Sequence, residues 1–126
     1  RVKRQQQQTN EIVLLSPTFS FLFNAGDHWC GVWYGCSNSG YPSANKHWKA
    51  SEDAGLKLPG YKTGALAFLY GGQWGHVAIG DLSHGSVYSS DYPKPLYVGH
   101  GSIAAVSAWL GPAYVFKGWY KPLYSC

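Results

Sequence analysis

Gly75-His76-Val77-Ala78-Ile79-Gly80 decides how the chain is read. Three apolar residues follow one ionisable imidazole, and a glycine closes each end. The pattern is that of a short buried strand. A histidine at the mouth of such a strand is held in a fixed place with little water near it. That suits a general base, for which position comes first and pKa second. A structural histidine satisfied by a backbone carbonyl accounts for this stretch equally well.

Outward from this strand the elements change character. After it, His84-Gly85 makes a tight turn and Ser86–Asp91 a further strand, which Pro93 and Pro95 end. Before it, Ala65–Tyr70 is a strand, and Gly71-Gly72 turns the chain into Trp74–Leu82. These strands form an antiparallel meander. Ser102–Leu110 then reads as a capped helix and Ala113–Trp119 as a last strand. Upstream the period is helical. Trp29, Val32, Trp33 and Cys36 recur at helix spacing, which predicts a helix over about 28–38 with Asp27 able to cap it. A second helix starts after Ser43, carries Ala44, Trp48 and Ala54 on one side, and stops at Gly55. Helices first and strands afterwards make an α+β domain.

The chain has 126 residues, 45% of them hydrophobic and 13% charged, which is enough for one core and excludes a disordered chain. Residues 1–25 read as an N-terminal arm and lead-in, its glutamine run of low complexity, and 26–126 as the domain. The net charge of +4 owes three of its ten basic residues to positions 1–4. Without them the domain is near neutral, and no Lys/Arg stripe alternates with aromatics, so nucleic acid is not the expected partner. No apolar run reaches the roughly 18 residues of a membrane span. Six Trp and ten Tyr are many for this length and suit a groove with aromatic walls, although core packing uses aromatics more often.

Three residues can carry chemistry together. Cys30 falls in the first turn of its helix, where unpaired N–H groups favour a thiolate and can hold an oxyanion. His76 follows on the sheet. Asp91 lies across a short hairpin, where a carboxylate would hold the imidazole in its productive tautomer. Each has a plainer reading: Cys30 as a small buried hydrophobe, Asp91 as a turn residue. The order nucleophile, base, orienter is harder to explain that way. Three cysteines leave at least one outside an intrachain disulfide. Cys30 and Cys36, six apart, would lie about 9 Å from each other on one helix, too far to bridge. A Cys36–Cys126 bridge would leave Cys30 as a thiol. His28, Cys30 and His76 would supply three zinc ligands, but neither HExxH nor paired CxxC accompanies them.

The chain resembles the CHAP domains, the cysteine- and histidine-dependent amidohydrolases/peptidases of phage lysins and bacterial cell-wall hydrolases. The resemblance covers about residues 26–120. It rests on Cys30-Gly31-Val32-Trp33-Tyr34, Ser43–Ala50, Lys62–Phe68, Gly75–Ile79 and Gly85–Asp91, with a Trp and a Gly-Trp closing the tail. It implies a papain-like α+β fold and cleavage of an amide bond in peptidoglycan outside the cell or from a phage particle, within a larger multidomain protein. By position, Cys30 is then the nucleophile, His76 the base and Asp91 the orienting acid, with Asn24 a candidate oxyanion donor. Trp33, Trp48, Trp74 and Tyr92 are the candidates for lining the groove. The His28-Trp29 pair departs from the Gln or Gly common before the cysteine. Some members bind calcium through an acidic loop; Asp27 stands alone here, so neither a metal nor another cofactor is expected. Two alternatives remain: a non-catalytic binding module of the same fold, and a cysteine-peptidase effector acting on a protein.

Overall fold

A computed structural model describes residue 30, residues 41–81 and residues 85–123. Among these, the elements run α1 (Ala44–Asp53), β1 (Leu66–Gly71), β2 (His76–Gly80), β3 (Ser86–Ser90), β4 (Val98–Ser102), α2 (Ile103–Leu110) and β5 (Tyr114–Tyr120). The fold is α+β. Its sheet is antiparallel throughout, in the order β4-β3-β2-β1-β5.

β1 and β2 are the centre because their sequences are apolar on both sides. Leu66–Leu69 and all of β2 are buried. A strand covered on both faces reads as a continuous apolar run and not as an alternation. Each face then has its own core. Leu66, Phe68, Val77, Ile79 and Tyr120 pack with Ala44 of α1 and with Cys30. Ala65, Ala67, Ala78, Val87 and Trp119 pack with Val106 of α2. Burying Leu66, Phe68 or Ile79 contributes roughly 2 kcal/mol each.

Both helices start where the sequence signals them. Ser43 accepts from the Lys46 N–H at 3.1 Å, and Ser102 from the Ala105 N–H at 3.0 Å; such caps are worth about 1 kcal/mol. The buried side of α1 is Ala44, His47 and Ser51, while Ala54 is exposed. His47 is buried, stacked on Tyr41 at 4.2 Å and edge-on to Phe68 at 5.0 Å. An imidazole can replace an apolar side chain there because its ring faces are flat and apolar. A further link joins α1 to β5: Trp48 Nε1 donates to Tyr120 Oη at 2.9 Å, and Tyr120 donates to Glu52 at 3.0 Å.

β4 has no counterpart in the sequence reading. Its residues, Val98-Gly99-His100-Gly101-Ser102, are rich in glycine and look like a turn. The glycines are there because Tyr92 lies across them. A Cβ on Gly99 would sit 2.0 Å from the Tyr92 carbonyl oxygen, and one on Gly101 2.9 Å from its hydroxyl. No described helix is long and apolar enough to cross a membrane.

Asn45, in the first turn of α1, fixes the hairpin that leads into β2. Its Oδ1 accepts from the Gly71 N–H at 3.1 Å, its Nδ2 donates to the Gly71 carbonyl at 3.2 Å, and its own N–H donates to the Trp74 carbonyl at 2.9 Å. Gly75 passes beneath it at φ 77, where a Cβ would fall 2.1 Å from Asn45 Oδ1. Gly75→Ala therefore combines a left-handed backbone with a clash. It should cost about 2 kcal/mol or more in chemical denaturation, with the slope of the transition unchanged.

Candidate functional site

His76 opens β2, 5% exposed. Its Nε2 is 2.7 Å from Ser89 Oγ, and Ser89 Oγ in turn donates to the Ser90 carbonyl at 3.1 Å. Ser89 is fully buried. Burial pulls the imidazole from its ordinary value of 6.5 down to about 4, because the charged ring cannot be solvated there. At neutral pH the ring is uncharged and able to accept a proton.

The partner of the ring is thus Ser89, two residues before the expected Asp91. Strand alternation puts Ser89 on the face of the ring, and the turn at the end of β3 takes Asp91 off it. Val87 and Ser89 point to the face of the sheet that carries Ala78, and His76 shares that face. Asp91 stands just past the end of β3, at φ 55, in a turn. Its Oδ1 accepts from the Leu96 N–H at 2.8 Å, and its carbonyl accepts from Trp109 Nε1 at 2.8 Å. Burial raises the Asp91 carboxyl, partly offset by the Leu96 hydrogen bond. The turn-residue reading of Asp91 describes these contacts, and the carboxylate is engaged with the loop and not with the ring.

Cys30 is helical and fully buried, and it forms no disulfide. Its thiol points at the Val77 carbonyl, with the sulfur 4.0 Å away. The sulfur therefore meets β2 one residue beyond His76. It does so on the face that carries Val77 and Ile79, however, whereas the imidazole leaves on the face that carries Ala78. Cys30 and His76 are brought to the same turn of backbone from opposite sides.

The aromatic candidates divide. Trp48 is half-buried, tilted against Tyr70 at 4.9 Å with the Lys117 ammonium 4.9 Å above its ring. Trp74 is 38% exposed on the hairpin before His76. Tyr92 is half-buried against β4 and Trp109, with ring centroids 6.5 Å apart, and serves packing. Trp33, Asn24, Asp27, His28, Cys36 and Cys126 lie outside the described residues. Among the described residues no three His, Cys, Asp or Glu side chains converge as metal ligands.

Two contributors escaped the sequence reading. Asn45 shapes the approach to His76, and Ser89 holds its ring. Ser89 was within reach: on β3 it lies two residues from Val87 and so shares its face, and a buried hydroxyl needs a partner. A second imidazole contact is remote from this one in the sheet: His100 Nε2 of β4 meets the Asp81 carboxylate, just past β2, beside the Tyr88 ring. Comparison of the chain with protein-family profiles, curated proteins and solved structures gives no match.

The buried imidazole links folding to pH. Its folded pKa lies below its unfolded one, so the unfolded chain binds more protons between pH 6.5 and about 4. The stability is fully present above pH 6.5 and falls as pH drops toward 4, by on the order of 3 kcal/mol. His76→Gln removes this titration, and its stability over the same window, measured by urea denaturation, should fall less steeply than the parent's.

Proposed function

We propose that the protein is a thiol-dependent amide hydrolase with Cys30 as nucleophile and His76 as base, acting on the peptide of bacterial peptidoglycan. One observation carries the chemistry: a buried thiol reaches β2 one residue from a buried, neutral, hydrogen-bonded imidazole. The papain-like assignment belongs to the same reading, since a helix-borne cysteine precedes a histidine on an antiparallel sheet. The cell-wall substrate comes from the resemblance of Cys30–Tyr34, Gly75–Ile79 and Gly85–Asp91 to CHAP domains.

In the reaction, His76 takes the thiol proton as sulfur attacks the amide carbonyl. The imidazolium gives that proton to the departing amine, leaving a thioester. Water, deprotonated by the same ring, then releases the acid and the thiol. Because burial disfavours the charged ring, proton transfer accompanies attack; a resting thiolate–imidazolium pair is not the ground state. The step requires Sγ and the imidazole to meet around the N-terminal end of β2.

A second reading, a binding module of the same fold, is favoured by the complete burial of Cys30 and by the two faces from which thiol and ring reach β2. Turbidity of purified cell walls separates the two. The hydrolase clears walls and releases new amine ends; Cys30→Ala and His76→Ala each lower the rate by about 100-fold or more. If Cys30→Ala clears walls as fast as the parent, the thiol mechanism is wrong. If the parent sediments with walls and releases no amine, the binding module is right.

A further inference from the structure

The Ser89 hydroxyl has one proton, and two neighbours compete for it. The Ser90 carbonyl lies 3.1 Å away and can only accept. His76 Nε2, at 2.7 Å, can accept or donate according to its tautomer. If Ser89 gave its proton to the ring, its oxygen would face the Ser90 carbonyl oxygen with no hydrogen between them, in a region that water does not reach. If Ser89 gives it to the carbonyl, the ring must donate, and every contact is made.

We infer that Ser89 fixes His76 in the tautomer that carries its proton on Nε2, so that Nδ1 is the basic nitrogen. Ser89 is a positioning residue, acting through the ring on whatever Nδ1 meets. It takes the place expected for Asp91, and it does so without a charge. A carboxylate partner would stabilise the imidazolium and raise its pKa; a hydroxyl whose own proton is committed to a carbonyl orients the ring and adds little such stabilisation. The base is thereby built to stay neutral at rest and to accept a proton only while bond-making is under way. This catalytic consequence rests on the thiol-hydrolase reading; the tautomer itself does not.

Nitrogen-15 NMR of the full chain with labelled histidine tests both parts. The His76 ring is identified by its loss in His76→Gln, and its long-range proton–nitrogen correlations at pH 7 report the tautomer. The expected result is an Nε2–H ring in the parent and in Ser89→Thr, and a substantial Nδ1–H population in Ser89→Ala. An Nδ1–H ring or an imidazolium in the parent overturns the inference, whatever Ser89→Ala does to folding. So does a folded Ser89→Ala with the parent's tautomer. On cell walls, Ser89→Ala should lower kcat by about tenfold or more with KM within about twofold, and Ser89→Thr should restore most of it. If the parent does not hydrolyse walls, the hydrolase reading fails while the NMR result still decides the tautomer.

Discussion

A polar ring at the head of a fully buried strand has to be hydrogen-bonded inside the protein, and the His76–Ser89 contact meets that need. Much of the sheet is arranged around it. β2 must be central to be dry on both faces, and β3 must present a hydroxyl to the face that receives the ring. The chain must also enter β2 through a left-handed glycine held under Asn45, so the first turn of α1 is tied to the same place. The order of these dependences runs from the strand to the ring and from the ring to its neighbours.

The same burial sets the chemistry available. A ring held near a pKa of 4 is a neutral acceptor across the physiological range. It is a poor partner for a permanently charged thiolate, but it can take a proton in step with attack by sulfur. The Cys30 thiol, directed at the Val77 carbonyl, is likewise held as a hydrogen-bonded group in the core. Thiol and ring are two uncharged groups on either side of one strand. That arrangement distinguishes this site from a preformed ion pair.

Legibility followed the physics of each segment. Ser43 and Ser102 announced their helices because a cap is a local interaction between neighbours in sequence. β1, β2, β3 and β5 announced themselves by apolar runs and alternation. β4 did not, because its glycines answer to the close approach of Tyr92, a tertiary demand that composition does not display. His76 was identifiable from its apolar strand. Strand parity brings Ser89 within reach as its partner but does not separate it from Asp91, two residues on with the same parity; only the turn at Asp91, which takes the carboxylate to the Leu96 N–H, does that. The burial of His47 is likewise tertiary: Tyr41 and Phe68 make its environment, and its helix alone does not.

Whether thiol and imidazole act as a pair is the claim from which catalysis follows. The direct measurement is the rate of iodoacetamide alkylation at Cys30 at pH 7, followed by mass spectrometry of its peptide so that Cys36 and Cys126 do not contribute. Coupling through a neutral base requires His76→Ala to slow the reaction by about tenfold or more, with global unfolding rates matched by adding denaturant to the parent. An equal or faster rate in the folded His76→Ala would show that the imidazole does not serve the thiol, and would leave His76 and Ser89 as a structural pair in a binding module.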